Sequence, residues 1–153
     1  MAILLTNATA ATMQGGYGLI QGAGIAVEGD RIAWVGPMDA LPDQYTAGDR
    51  RDVAGRLVTP ALIDCHTHAV FGGHRAAEFE MRLNGVSYEQ VARAGGGILS
   101  TVFATRAATE DDLLATALGR VDQMIATGTA TIEIKSGYGL TIADEVKMLR
   151  VAR

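Results

Sequence analysis

Between Thr109 and Ser136 the sequence passes from a capped, amphipathic helical stretch straight into an alternating strand, and this order constrains the fold more than any other feature. Thr109 stands where an N-cap would, Asp112 follows three residues on as a variant of the capping box, and acidic residues crowd the first turn, where the helix dipole favours them. Leu113, Leu114, Ala117, Leu118, Val121 and Ile125 mark one apolar face until Gly128 ends the helix. TATIEIKS, residues 129–136, alternates as a strand does, and Thr141 with Asp144 opens another helix still running at Arg153. Upstream, Val58 to His68 is apolar and turns polar at its C-terminal end, which suits a buried parallel strand whose last residues emerge at a site. Strand, helix, strand, helix implies an α/β fold with parallel strands.

The first third has a different texture. From residue 3 to about 58, short β-type runs (ILLTNA, GLIQGAGIAVEGDRIAWVG, RDVAGRLV) are broken by turn residues, and Gly29-Asp30 between Ile25-Ala26-Val27 and Ile32-Ala33-Trp34-Val35 predicts a tight hairpin. Pro37 and Pro42 mark an exposed loop or a one-turn helix over 39–46. Residues 87–94 (SYEQVARA) read as a helix that stops at Gly95-Gly96-Gly97, and 98–107 reads as helix because Ile98 and Val102 repeat at four. The expected organisation is an N-terminal β module over 1–57 and strand–helix units over 58–153. A barrel of eight such units takes about 250 residues, and about two units fit after residue 58. With an uncapped helix at Arg153, the chain reads as a truncated product.

Composition narrows the function. At 48% hydrophobic and 20% charged, the chain has the profile of a soluble globular domain. A formal charge of -4 with 13 scattered Lys and Arg residues argues against nucleic acid as partner. MAILLTNATAATM has no basic n-region, and no stretch approaches the ~18 consecutive apolar residues of a spanning helix, so neither signal peptide nor membrane partner is expected. The single Cys65 cannot form an internal disulfide, which fits a reducing compartment, the cytoplasm by default.

All three histidines fall within LIDCHTHAVFGGHR, residues 62–75. In a strand, Asp64, His66 and His68 share one face and Ile63, Cys65 and Thr67 the other, so two imidazoles can converge on one metal ion. A zinc-type catalytic site uses about three protein ligands and keeps a position for water. A bare His-x-His also describes two hydrogen-bonded core histidines. His74 is either a third ligand or a loop residue. Asp64 is suited to orienting such a site, and Cys65, facing away, to packing as a small buried hydrophobe. Gly95-Gly96-Gly97 lacks the Lys-Ser/Thr of a phosphate loop and follows a helix, not a strand.

VTPALIDCHTH resembles the first barrel strand of the amidohydrolase superfamily, typically "PGLID-H-H". FGGHRAAEFEMRLNGVSYEQVARAGGGI and TIEIKSGYGL narrow the resemblance to the imidazolonepropionase family, from about residue 55 to 153, with residues 1–54 fitting that family's N-terminal β module more loosely. The resemblance implies a β-sandwich-type module, part of a composite domain, followed by the first units of a (β/α)8 TIM-type barrel. It implies hydrolysis of the small-molecule substrate 4-imidazolone-5-propanoate to N-formimidoyl-L-glutamate in histidine degradation, with one zinc or iron ion and, at full length, a homodimer.

By the same resemblance, His66 and His68 match the first two metal ligands, and Arg75 and Tyr138 match substrate-binding residues. The third histidine ligand, the aspartate ligand, a catalytic glutamate and a further substrate-binding histidine would fall beyond residue 153. Ala61 replaces the usual glycine before Leu-Ile-Asp, and His74 stands where asparagine is frequent; neither touches a ligand. From the residues themselves, Arg75 suits a carboxylate-bearing substrate because guanidinium binds carboxylate bidentately, the alternative being an ion pair with Glu78 or Glu80. Tyr138, between Gly137 and Gly139, is either a presented phenol or a packing aromatic in a turn. A Glu133–Lys135 ion pair explains both residues; carboxylation of Lys135 to bridge two metals, as in some amidohydrolase relatives, is the alternative. Two functional alternatives also stay open: another ring amidase or deaminase of the superfamily, and an inactive N-terminal fragment or metal-binding module.

Overall fold

Alternation of apolar and small residues builds β1 (Ile3–Ala11), β2 (Leu19–Glu28) and β3 (Arg31–Pro37), which pair antiparallel in sequence order. The computed structural model describes residues 2–153 and divides between Pro60 and Ala61 into two compact units. In the first, β4 (Asp49–Asp52) and β5 (Leu57–Val58) run parallel to successive halves of β1, giving a mixed sheet ordered β3-β2-β1-β4 with β5 also on β1. The hairpin predicted at Gly29-Asp30 is present: Glu28 pairs with Arg31, and Gly29 takes a φ of 59°, which a glycine adopts at no steric cost.

Because Ile25 and Ala26 are adjacent in β2, they face opposite sides, and each seeds its own cluster. Ala8, Ala10, Ala23 and Ile25 form one, and Leu4, Ala26 and Tyr45 the other. Tyr45 is delivered by the second of two single 3₁₀ turns, Met38–Ala40 and Asp43–Tyr45, each begun after a proline. The segment predicted as a loop or one-turn helix over 39–46 is therefore two short turns, the second anchored by a buried aromatic.

The second unit pairs β6 (Leu62–Thr67) in parallel with β7 (Thr129–Ile134). The connection carries α1 (Ala76–Leu83), α2 (Tyr88–Arg93), α3 (Ile98–Ala107) and α4 (Glu110–Ala126), and α5 (Ile142–Ala152) follows β7. Thr109 and Asp112 make both bonds of a capping box at α4, as do Ser87 and Gln90 at α2, while the Thr141 side chain caps α5. Val70, Leu113, Ala117 and Met148 form the core of this unit, packing α4 and α5 around the segment that leaves β6.

Three local expectations change. The strand expected over Val58 to His68 is two: Val58 pairs with Ala10, Thr59-Pro60-Ala61 interrupts, and β6 starts at Leu62. Pro60 lacks the N–H that a continuous ladder needs. Nor is β6 buried; Leu62 and Ile63 are 56% and 69% exposed, since β7 is its single sheet neighbour among the described residues. On α4, Leu113 and Ala117 are buried but Leu114, Leu118 and Ile125 are exposed, so the apolar stripe is wider than the surface that covers it. Among the described residues no helix is long and apolar enough to cross a membrane.

Candidate metal and substrate site

The C-terminal end of β6 does not alternate simply. Asp64 pairs with Ile132 and Thr67 with Ile134, so β6 carries one more residue than β7 between these two pairs, a bulge-like break in register. Thr67, expected on the face opposite Asp64, instead donates from its hydroxyl to Asp64 Oδ1 at 2.7 Å, and the His66 N–H donates to the same oxygen at 3.0 Å. Asp64 thus fixes the backbone that carries the histidines. The His66 and His68 rings lie edge to face, 5.3 Å between centroids and 67° apart. His66 is exposed and His68 half-buried. His68 Nδ1 is buried with no hydrogen-bond partner.

The loop after β7 closes over His68. Its Tyr138 ring lies 5.1 Å from the His68 ring and 5.8 Å from Phe71. Tyr138 also packs against the Val70, Leu113, Ala117 and Met148 cluster, so it is at once a packing aromatic and a wall of the site. Gly137 has a φ of 144°, and a Cβ there would meet His68 Cε1 at 3.1 Å. Behind Phe71, the Arg120 guanidinium stacks on the ring at 3.5 Å and donates from Nη1 to the carbonyls of Ala69 and Phe71 at 2.9 and 3.1 Å. Burial lowers the Arg120 pKa from its usual value.

A cavity of about 500 Å³ opens beside these rings, lined by Phe71, His74, Arg75, Glu78, Arg120 and Tyr138 among others. It brings Arg75 and Tyr138 together; His66 and His68 are not in its wall, and Tyr138 touches both sides. Arg75 makes the Glu78 pair of the alternative reading, Nε donating to Oε2 at 3.0 Å, while Glu78 Oε1 accepts from the Ser100 hydroxyl at 3.0 Å. Burial pushes the Glu78 carboxyl up, but the Gly97 N–H, the Ser100 hydroxyl and Arg75 outweigh it and hold the pKa below the usual value. Glu78 engages the Nε edge of Arg75 and offsets part of its charge, leaving the terminal N–H groups for another acceptor.

His74 lines the cavity and is exposed. Glu133 and Lys135 form the expected ion pair. Cys65, expected to be a buried small hydrophobe, is exposed, because the face of β6 that it occupies is uncovered. Phe71 and Arg120 also line this site, and no local feature of the sequence marks them.

The donor set fits part of a metal centre. Two imidazoles at adjoining positions, one with a buried unpartnered nitrogen, are the nitrogen ligands zinc or iron takes. Among the described residues no group of three or more His, Cys, Asp or Glu side chains could hold an ion.

Residues 23–47 match the bacterial imidazolonepropionase-like composite domain. The imidazolonepropionase of Paracoccus denitrificans (strain Pd 1222) is 63% identical over 153 residues, covering 98% of this chain and 38% of its own. That of Cereibacter sphaeroides (strain KD131 / KCTC 12085) is 64% identical over 151 residues, covering 99% and 38%. This chain matches the N-terminal portion of the imidazolonepropionases. It spans about 38% of the length of the imidazolonepropionases it matches. Among solved structures, a guanine deaminase from C. acetobutylicum with bound guanine superposes with a TM-score of 0.57 at 16% identity, covering 99% of this chain and 33% of that one. That likeness shows a shared mixed α/β fold and says nothing of the chemistry.

Proposed function

We propose that this chain supplies the first metal ligands and part of the substrate pocket of an imidazolonepropionase, which hydrolyses 4-imidazolone-5-propanoate to N-formimidoyl-L-glutamate. In this reading β6 and β7 are the first two strands of a TIM-type barrel, and the N-terminal sheet is part of a composite sandwich. The observation that carries it is the placement of Tyr138, whose ring lies against His68 on one side and shares a cavity with Arg75 on the other.

His66 and His68 would hold one zinc or iron ion. What such an ion supplies when bound is acidification of a water, to a pKa of about 7 for zinc, and polarisation of the ring carbonyl. Water adds its oxygen to the ring carbonyl carbon, the carbonyl C–N bond breaks, and the nitrogen takes a proton, leaving a carboxylate and a formimidoyl group. Arg75, held by Glu78 along its Nε edge, presents its remaining N–H groups to the propanoate. The Tyr138 phenol offers a hydrogen bond at the ring. Fixing both ends of a small substrate in this way lowers the entropic part of the barrier.

The test is a chimera in which this chain replaces the matching segment of the Paracoccus denitrificans imidazolonepropionase. It should open imidazolonepropanoate, and His66→Ala should abolish turnover. Full activity of that variant, or turnover of other cyclic amides but not this one, would overturn the proposal. By itself the 153-residue chain should bind zinc weakly and show no turnover, because the two histidines are an incomplete ligand set.

A further inference from the structure

The loop that presents Tyr138 departs from ordinary backbone geometry and is held by side chains of two helices. Leu140 has a φ of 56°, a left-handed value that a leucine seldom adopts. Gly139 has no room for a side chain, since a Cβ there would lie 2.6 Å from the Glu145 nitrogen. From α5, Glu145 Oε1 accepts the N–H groups of Gly139 at 2.8 Å and Leu140 at 2.7 Å. From α3, Arg106 Nε donates to the Gly139 carbonyl at 2.6 Å. The Gly139–Leu140 peptide is therefore gripped at both ends, and the peptide that carries the Tyr138 carbonyl is gripped at its N–H.

The same short stretch of α3 holds the loop after β6. The Thr105 hydroxyl, fully buried, accepts the Gly72 N–H at 3.0 Å, one residue before Arg106 reaches Gly139. Lys147 of α5 then donates to the carbonyls of Thr105, Arg106 and Ala108 at 3.0, 2.9 and 3.1 Å, tying α5 to that end of α3. Asp144 pairs with both Arg106 and Lys147. One charged network thus reaches the loops beyond both strands.

We propose that Glu145 and Arg106 are positioning residues that act through the Gly139 and Leu140 backbone to set the Tyr138 ring against His68. Its bearing on catalysis rests on the proposed function, in which Tyr138 contacts substrate; the placement itself does not. A merely structural role would change stability and leave the Tyr138–His68 contact in any chain that still folds. A positioning role makes the contact depend on the carbonyl-type acceptor at position 145.

The experiment is NMR on the metal-free 153-residue chain, reading the nuclear Overhauser cross-peaks between the Tyr138 and His68 rings. Glu145→Ala should lose them while the amide signals of α4 stay in place. Glu145→Gln, whose amide oxygen still accepts both N–H groups, should restore them. Unchanged cross-peaks in Glu145→Ala would overturn the proposal. Should that variant fail to fold, Arg106→Leu decides: loss of the cross-peaks supports positioning, and their full retention rejects it. If Tyr138→Phe leaves the KM of the chimera unchanged while Glu145→Ala still loses the cross-peaks, Tyr138 has no substrate role but the positioning stands.

Discussion

The Tyr138 ring lies 5.1 Å from the His68 ring, tilted by 49°, and the residue before it has no side chain to hold them apart. Gly137 sits at a φ of 144°, and a Cβ there would press on His68 Cε1 at 3.1 Å. Gly137→Ala should therefore strain the loop and turn the imidazole. Disturbing a group that orients a ligand weakens metal affinity by about 10- to 100-fold, and the lower end is expected because the loop can yield. Calorimetric titration of the chain with zinc measures it; equal affinities for the two proteins would separate this contact from the metal site.

Arg120 bridges α4 to the segment just past His68 by stacking on Phe71 and binding two carbonyls. Arg120→Met keeps much of the aliphatic volume and removes all three interactions. A partly buried cation–π contact and hydrogen bonds from a charged group together suggest a loss of about 2–4 kcal/mol. Urea denaturation should show a lower midpoint with an unchanged slope. A loss below about 0.5 kcal/mol, the range of an ordinary surface substitution, would mean that Arg120 is a bystander.

How much of this was legible follows from how far apart the partners are in sequence. The Thr109–Asp112 capping box, the Thr141 cap and the Gly29-Asp30 turn are settled within four residues, so local chemistry announces them. The spacing of His66 and His68 was equally plain, but the register break between Asp64 and Thr67 was not, since no glycine or proline marks it. α1 gave no starting signal because Arg75 caps it without a side-chain bond. Arg120 reaches carbonyls 49 and 51 residues away, and Arg106 a carbonyl 33 away; only the folded chain brings these together.

Acid should weaken the fold through four carboxylates. Asp112 is held below its usual pKa by the Thr109 hydroxyl and N–H. Asp144 is lowered by the Thr141 hydroxyl against the opposing effect of burial, with help from Lys147 and Arg106. For Glu78 and Glu145 burial again opposes; around Glu145 the Ser136 hydroxyl and the N–H groups of Leu140, Gly139 and Gly137 outweigh it. Each group binds protons more readily in the unfolded chain, so unfolding free energy rises with pH through their titration range. The stabilisation is complete above the ordinary carboxylate values of about 4 and is lost as pH falls through the lowered ones. The urea midpoint should drop as pH falls below roughly 5, and Asp112→Asn combined with Glu145→Gln should flatten that drop. A slope unchanged by the double substitution would place the acid sensitivity elsewhere.

Arg75 is exposed and lines the cavity, and its Nε is bonded to Glu78, which leaves the terminal N–H groups of the guanidinium for another acceptor. Arg75→Lys keeps the charge but loses the paired N–H geometry that a carboxylate matches, and lysine cannot both bind Glu78 and present a planar fork. Losing one charge-assisted hydrogen bond costs about 1.5–3 kcal/mol, or roughly 10- to 100-fold in KM for imidazolonepropanoate in the chimera. If the propanoate is what Arg75 binds, a substrate analogue with the carboxylate replaced by a neutral amide should show the same KM in both proteins. A lysine variant with unaltered KM for the natural acid would leave Arg75 as a surface ion pair and return the carboxylate to another cation of the cavity.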